Sequence, residues 1–473
     1  MQEKTFSSLI PAPAKLQEIP GSFPVKKLTS FTIAEKFAAV SGELEKLFAA
    51  LTLPVTRTNS PAPLTITEAQ LPGGAWNMLI NENGINIAAG DLTGANYAVA
   101  ALTQILFTAL ITGNREAVLD NVEIHDEPRF ATRSFHLDCA RHFQEKELVK
   151  KFLRILSFNR INTFHWHLVD GSGWRYASKV APLLDEKGEM SDGQYSLDDI
   201  REITQYAKSL GITIVPEVDV PGHSRYLLEH YPQFACDPQN PGDEFCLGNP
   251  ETMEFLKKIF AELMAIFPDS PVIHIGGDEA ATTHWDKCEK CQKALREKGL
   301  SNMRELENAF MIELSRFIVQ SGRTPMIWGT CSGQVYPDDT IIQIWLDIRE
   351  PLKVAPHGNK MIYSVHSSLY FDYPANLSEP WATWMFSLDE KGVYMTDPYI
   401  IWADKVKDLI IGTEGCMWTE TIPQHRILTK LFPRISAYSE CAWSLPENKS
   451  WASYSARKEL LEAAGYFDYI KGL

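Results

Sequence analysis

The sequence has little positive charge and no apparent leader, and each absence excludes a class of protein. Its 45 Lys and Arg residues are outnumbered by 60 Asp and Glu residues, which gives a net charge of −15. This excess of negative charge disfavours nucleic acids and anionic membranes as partners. The first residues lack a basic region followed by an apolar run, so we expect no signal peptide within the chain.

A long hydrophobic run free of polar residues is also missing. The longest stretch without charge covers residues 92–114, and its length alone would suit a membrane span. Polar residues interrupt it, and its Leu and Ile residues recur on one face of a helix. We therefore expect a buried amphipathic helix and no membrane span.

Cysteine is scarce, with eight residues in the chain. Cys288 and Cys291 have the spacing of half a zinc site, a redox pair or a disulfide. The sequence offers no recognisable second Cys or His pair, so this is weak evidence for zinc, and we predict no metal and no other cofactor. Cys236 and Cys246 could close a loop as a disulfide, and free thiols remain the alternative for both pairs.

The length of 473 residues fits two domains, one of them large. Residues 1–124 predict a small α+β domain with strands at 64–68, 76–82 and 85–89. Asn83-Gly84 is a strong hairpin signal between the last two of these strands. The helix predicted from residue 92 would cover the sheet. This domain shows no catalytic residues, and we assign it a packing role.

From residue 125 to 473, apolar strands alternate with amphipathic helices. The strands are predicted at residues 135–139, 163–169, 212–217, 272–275, 326–328, 341–345, 361–365 and 409–412. Eight such units predict an α/β fold of the TIM-barrel type, a (β/α)8 barrel. In this fold the active site forms at the C-terminal ends of the strands, where the conspicuous polar motifs of this chain also fall.

The adjacent acids Asp278 and Glu279 follow an apolar strand and two glycines, Gly276 and Gly277. Glycine lets the backbone take unusual angles and lets a ligand approach closely. Crowded carboxylates push their pKa values apart, so that one stays ionised while the other keeps a proton. This is the acid–base equipment for cleaving a glycosidic bond, and the alternative is a solvated pair at a strand end.

Further motifs follow the same order as in a known family. They are Arg141-His142-Phe143, His165-Trp166-His167-Leu168-Val169-Asp170, Pro216-Glu217-Val218-Asp219-Val220-Pro221-Gly222-His223, Tyr370-Phe371-Asp372 and Gly415-Cys416-Met417-Trp418-Thr419-Glu420. With the two acids, they make residues 122–445 resemble glycoside hydrolase family twenty, the β-N-acetylhexosaminidases. The resemblance implies a small N-terminal domain before a catalytic barrel.

The resemblance also implies the catalytic roles. In this family the 2-acetamido oxygen of the substrate attacks the anomeric carbon, and an oxazolinium intermediate forms. Glu279 is then the general acid and base, and Asp278 accepts a hydrogen bond from the acetamide N–H. Tyr370 donates to the acetamide oxygen. An apolar cage for the methyl group is expected from Trp328, Trp345 and Trp418.

Other positions match residues that bind the sugar. Arg141, Asp372 and Glu420 correspond to groups that hold the hydroxyls of a terminal sugar, which implies exo-cleavage. Asp170 and His223 resemble a supporting pair beside the acids. Trp384 is our candidate platform for the next sugar, with Trp381 as its competitor.

His165 and His167 point to the same face of a predicted strand, a spacing that can bind a metal. A third ligand is not evident, and the family uses no metal, so we favour buried, hydrogen-bonded histidines.

The expected function is release of terminal β-linked N-acetylglucosamine or N-acetylgalactosamine from glycans or chitooligosaccharides, with retained configuration. The partner is thus a carbohydrate, and the resemblance implies a periplasmic or extracellular location, with the leader absent from this sequence. The alternatives are a disaccharide-releasing enzyme of the same family and a non-catalytic glycan-binding barrel. An ordinary retaining glycosidase would need a second carboxylate about 5 Å from Glu279.

Overall fold

The computed structural model describes residues 4–110, 117–185, 193–329, 337, 339–376, 378–399 and 402–472. A mixed sheet forms the N-terminal part, and a closed parallel barrel forms the rest. The order of strands across the N-terminal sheet is Lys15–Pro24, Val118–Asp126, Trp76–Asn81, Gly84–Ala89, Leu64–Glu68, Ser30–Ile33 and Thr56–Arg57. The last strand in sequence thus runs just past the predicted boundary between residues 124 and 125.

The predicted hairpin is present, but its turn lies one residue earlier than expected. Asn81 pairs with Gly84, so the turn residues are Glu82 and Asn83. Gly84 is needed for packing, because a Cβ there would lie 2.3 Å from the backbone oxygen of Pro63 on the adjoining segment. The glycine therefore marks a close approach of two strands.

The predicted helix on this sheet runs over Leu92–Ala109 and is largely buried, and residues 111–114 of the prediction lie outside the described residues. Asp91 begins the helix by accepting a hydrogen bond from the Gly94 N–H. Across the described ranges, no helix combines the length and apolarity needed to cross a membrane.

The barrel confirms the predicted fold. Its strands, called the first to the eighth barrel strand below, are Thr132–Asp138, Thr163–His167, Thr213–Glu217, Val272–His274, Thr324–Trp328, Ile341–Ile344, Met361–Tyr363 and Ile410–Met417. Each pairs in parallel with the next, and the eighth pairs with the first from Gly412–Thr132 to Met417–Leu137. As in other parallel barrels, these strands are short runs of mostly buried residues.

Of the remaining helices, Ser41–Ala50 belongs to the N-terminal part, and the others surround the barrel or extend its loops. These others are Lys146–Phe158, Leu197–Ser209, Arg225–His230, Pro250–Ile266, Thr283–Lys287, Glu289–Glu297, Met303–Gln320, Glu350–Val354, His366–Leu369, Glu390–Tyr394, Asp404–Lys407, Ile427–Leu431, Arg434–Trp443, Trp451–Ala463 and Tyr466–Gly472.

A buried polar contact joins the sheet to the barrel. Asp126, at the end of the sheet, forms an ion pair with Arg160 and accepts a hydrogen bond of 2.9 Å from the Trp443 indole. A buried charge needs such partners. The N-terminal part is therefore fixed against the barrel beside the turn that follows the helix Lys146–Phe158 and at the end of the helix Arg434–Trp443.

Candidate active site

The catalytic candidates lie in the loop after the fourth barrel strand. Gly276 and Gly277 have φ angles of +70° and +107°, and Glu279 has a φ of +50°. Glycine adopts such angles freely, whereas a glutamate there is strained, and strained residues cluster at functional sites. The loop turns sharply enough to separate the two neighbouring acids, so that Asp278 is buried and the Glu279 side chain is 59% exposed.

The space beside the glycines is filled by a residue that the sequence did not single out. A Cβ on Gly276 would lie 1.7 Å from a carboxylate oxygen of Asp219, and the Gly277 N–H donates to the same oxygen over 3.2 Å. We expected a ligand to approach these glycines closely. At Gly276 the group that does so is the side chain of Asp219. The sequence feature that could have identified Asp219 as a site residue is its position in the Pro216–His223 motif.

Asp278 is buried at the bottom of the site. Burial raises its pKa to about 6, with the charges of Glu217 and Glu279 adding to the shift and His223 opposing it. Its Oδ1 atom has no hydrogen-bond partner among the described residues. A buried acceptor of this kind is costly unless a ligand supplies a donor.

Asp219 and Asp278 form the coupled carboxylate pair of this site. Burial raises the pKa of Asp219 well above its usual range, and the charge of Asp278 raises it further. Protonated Asp219 then donates a hydrogen bond to Asp278, which partly counters the rise of the Asp278 pKa. Asp219 thus adds a third carboxyl group to the pair that the sequence suggested, and Glu279 of that pair points outward.

His223 lies between the two catalytic candidates. Its Nε2 atom is 3.9 Å from Asp278 and 3.7 Å from Glu279, and its Nδ1 atom is 3.3 Å from Asp170. Burial would lower the His223 pKa, but Asp219, Asp170 and Asp278 raise it well above its usual value. The direction of this shift favours a positively charged imidazolium next to the acids, and the supporting role of Asp170 and His223 stays a prediction.

Arg141 is surrounded by carboxylates. Its guanidinium lies 2.7 Å from Asp170, 3.4 Å from Asp138 and 3.8 Å from Glu420, and 4.9 Å from the ring of Trp418. Asp138 was not singled out from the sequence. These contacts fix the guanidinium fork in one orientation, which suits recognition of a polar ligand.

Tyr370 and Asp372 reach the site from the loop after the seventh barrel strand. This loop is anchored to the eighth strand, because the Phe371 N–H donates to the Cys416 oxygen over 2.6 Å. Tyr370 is 7% exposed. Burial and the nearby Glu420 raise the pKa of Asp372 well above its usual range, and its Oδ1 atom has no partner among the described residues.

The predicted tryptophans take different positions. Trp418 packs against Tyr370, with ring centroids 6.2 Å apart, and Trp345 donates over 2.7 Å to the Gly329 oxygen. Trp328 is fully buried behind Trp418 and donates over 2.7 Å to Glu217. Trp328 thus supports the cage from behind, and its direct contact with a ligand stays a prediction.

Trp384 and Trp381 lie at the outer edge of the site, 58% and 62% exposed. Trp384 lines the cavity, whereas Trp381 is not among the lining residues. This difference favours Trp384 as the platform that we predicted.

These side chains enclose a cavity of about 560 Å³. The predicted residues that line it are Arg141, His223, Asp278, Glu279, Trp345, Tyr370, Asp372, Trp384, Trp418 and Glu420. Leu346, His366 and Tyr373 complete the lining, and nothing in the sequence marked them. Asp170 and Trp328 lie behind this wall.

The two candidate metal-binding histidines are buried in the barrel. His165 lies 3.0 Å from Glu217 and 2.9 Å from Glu414, and His167 contacts Glu217 and lies 3.1 Å from Asp170. Burial would lower both pKa values, but the carboxylates raise that of His165 to about 9 and that of His167 to about 10. Charged imidazolium rings paired with carboxylates are poor metal ligands.

A closed barrel with paired acids at the C-terminal ends of its strands, next to an aromatic cavity with polar groups, defines a glycoside hydrolase. Comparison with known proteins gives the family. The model of glycosyl hydrolase family 20, catalytic domain, matches residues 130–446, and that of glycosyl hydrolase family 20, domain 2, matches residues 7–127.

The chain is 28% identical to a β-hexosaminidase of Akkermansia muciniphila over 404 residues, covering 80% of this chain and 81% of that protein. It is 30% identical to a β-hexosaminidase of Vibrio furnissii, covering 78% of this chain and 65% of that protein. The crystal structure of a GH20 exo β-N-acetylglucosaminidase from Vibrio harveyi in complex with N-acetylglucosamine superimposes with a TM-score of 0.89 and 26% identity, covering 100% of this chain and 79% of that one.

The chain therefore belongs to glycosyl hydrolase family 20, and it is a glycoside hydrolase of the β-N-acetylhexosaminidase type.

Proposed function

We propose that the enzyme removes terminal β-linked N-acetylhexosamine residues with retained configuration, using the substrate's own acetamide as the nucleophile. The observation that carries this proposal is the buried Oδ1 of Asp278, which has no hydrogen-bond partner within the described part of the chain and lies in the same cavity as Tyr370 and Trp418. An acetamide group supplies an N–H donor, a carbonyl acceptor and a methyl group, and these three side chains offer the complementary groups.

In the first step the acetamide oxygen attacks the anomeric carbon, and the bond to the leaving oxygen breaks as Glu279 gives that oxygen its proton. Positive charge then develops on the acetamide nitrogen, whose N–H donates to the Asp278 carboxylate. In a buried site this charge interaction is stronger than in water. Tyr370 donates its hydroxyl proton in a hydrogen bond that holds the acetamide oxygen in line.

In the second step Glu279, now a carboxylate, takes a proton from water. The water oxygen attacks the anomeric carbon, and the bond to the acetamide oxygen breaks. Two inversions at the same carbon give net retention. The exposure of Glu279 suits this role, because the same side chain must reach first the leaving group and then water.

Exo-cleavage is proposed from the polar groups of the cavity. Arg141 is held in place by carboxylates, and none of the residues that the structure describes bonds to the buried Oδ1 of Asp372. A sugar hydroxyl could donate to Asp372 and accept from Arg141. Such contacts recognise a chain end and argue against an enzyme that releases disaccharides, which would need free space there.

A periplasmic or extracellular location is proposed as well, since the glycans that such enzymes degrade lie outside the cytoplasm. Assays of the periplasmic fraction and the medium of the native cells would locate the enzyme.

The decisive experiment compares hydrolysis of an aryl 2-acetamido-β-glucoside with that of the matching aryl β-glucoside. We expect strong turnover of the first and almost none of the second, because only the first carries the nucleophile. Equal turnover would contradict the proposal, and so would a covalent sugar ester on Asp278 detected by mass spectrometry. Turnover of neither would favour the disaccharide-releasing or binding-only alternatives.

A further inference from the structure

Four cysteines that are far apart in sequence come together outside the catalytic cavity. Cys236 and Cys246 lie in the loop after the third barrel strand, and Cys288 and Cys291 follow the fourth. Their Sγ atoms all lie within 4.8 Å of one another. The structure thus supplies the second cysteine pair that was not recognisable from sequence spacing.

Three of the six distances between the sulfur atoms match the edge of a tetrahedron of zinc ligands, and the others are within 4.8 Å. Cys246 lies 3.7 Å from both Cys288 and Cys291, and Cys291 also lies 3.7 Å from Cys236. A tetrahedron of thiolates around zinc, with Zn–S bonds of about 2.3 Å, has edges of about 3.8 Å. A disulfide would need about 2.05 Å, and one sulfur cannot bond to two partners.

The surrounding backbone is arranged to bring the two pairs together. The Cys246 N–H donates to the Phe234 oxygen over 2.8 Å, which places Cys236 and Cys246 side by side. A Cβ on Gly248 would lie 2.2 Å from backbone atoms of Lys290, so only glycine permits this approach. The Gly248 N–H also donates to the sulfur atoms of Cys246 and Cys291, as expected around metal-bound thiolates.

We propose that Cys236, Cys246, Cys288 and Cys291 bind a structural zinc ion that joins the loops after the third and fourth barrel strands. All four ligand positions of a tetrahedron are filled by protein sulfur, which is typical of a structural and not a catalytic zinc site. Three of these side chains are buried, so the ion would be protected from solvent.

The ion would stabilise the segment next to the catalytic loop. The Trp285 indole donates over 2.9 Å to the Phe245 oxygen, and the Ala281 N–H donates over 3.1 Å to Glu244. These contacts connect the same two loops nearer to Glu279. Zinc binding itself does not depend on the proposed reaction, and its test uses no activity assay.

The test is made on the full-length chain, expressed with zinc and iron in the medium and purified without metal-affinity chromatography. Elemental analysis should find a single zinc ion per chain, and X-ray absorption should find four sulfur neighbours at about 2.3 Å. Stoichiometric iron, zinc bound through nitrogen or oxygen, no metal, or the mass deficit of two disulfides would each overturn the proposal.

Variants then locate the site. Cys288→Ser and Cys291→Ser should lose the zinc and unfold at a lower temperature. Cys441→Ser is the matched control, because its buried thiol contacts the Thr396 oxygen instead of the cluster, and it should keep the zinc. Zinc retained in both cluster variants would contradict the assignment. If the cluster variants fail to fold, the wild-type chain is titrated with a mercurial thiol reagent. The number of thiols modified per zinc ion released then gives the number of cysteine ligands.

Discussion

The inner wall and the outer rim of the cavity differ in how they are held. The inner wall, made of Asp278, Tyr370, Asp372 and Trp418, is less than 10% exposed throughout. The outer rim, with Glu279 and Trp384, is more than half exposed. In the proposed mechanism, the buried groups recognise the sugar in surroundings where charge interactions are strong, whereas the exposed groups serve variable leaving groups and water. If the proposed roles hold, this difference means that the adjacent residues Asp278 and Glu279 divide recognition of the acetamide and proton transfer between them.

The sharpest way to test this separation is to remove one acid at a time. Glu279→Gln should lower kcat/KM for chitooligosaccharides by a factor on the order of 10²–10⁴, because an alcohol leaving group needs a proton. The loss should be much smaller for an aryl glycoside with a good leaving group. Asp278→Asn should cost on the order of 10²–10⁴ for both substrates, since charge on the acetamide develops in either case.

Steady-state kinetics on the two substrates measure both effects, and circular dichroism controls for folding. If both variants lose the same factor on both substrates, the division of roles between the inner wall and the outer rim is wrong.

A weaker effect is expected from the ionisation of Asp278, which lies on the inner wall. Asp278 must be ionised to stabilise the acetamide, and its pKa is raised to about 6. Turnover should therefore fall by about tenfold per pH unit below pH 6. Since native Asp278 binds its proton more tightly than the unfolded chain does, its protonation stabilises the fold in this range. The loss of activity therefore does not reflect unfolding caused by this group.

Asp219 provides the matched pair of variants for this pH profile. Asp219→Ala removes the hydrogen bond that lowers the Asp278 pKa, so the acid limb should move to higher pH. Asp219→Asn keeps a donor at the same place and should leave the limb near its original position. Identical profiles for the two variants would mean that the hydrogen bond does not control the ionisation of Asp278.

Much of the fold was predictable because local patterns carry it. Short apolar runs alternating with amphipathic helices predicted all eight barrel strands, and the resemblance to the family predicted most of the residues that line the cavity. In the barrel, the C-terminal end of each strand is placed at the same face by closure alone. A residue at such an end therefore has a predictable location even when its neighbours are unknown.

Contacts between different loops were not predictable in the same way. Asp219 and Gly277 are far apart in sequence, and only the packing of the third strand beside the fourth brings them within hydrogen-bond distance. The convergence of Cys236 and Cys246 with Cys288 and Cys291 has the same origin. Spacing within one segment indicates a pair of ligands, but it contains no information on which other segment will lie opposite.

The smallest effect is expected at the outer rim, where Trp384 and Trp381 compete as a platform for the second sugar. Trp384→Ala should raise KM for chitooligosaccharides by up to about tenfold, the range expected for loss of one stacked aromatic ring. It should leave an aryl monosaccharide substrate almost unaffected. Trp381→Ala is the matched control, because it removes an equally exposed indole that does not line the cavity. The opposite ranking of the two variants would assign the platform to Trp381. An effect of Trp384→Ala on both substrates would show that the rim also shapes the inner wall, which would weaken the separation between the two regions.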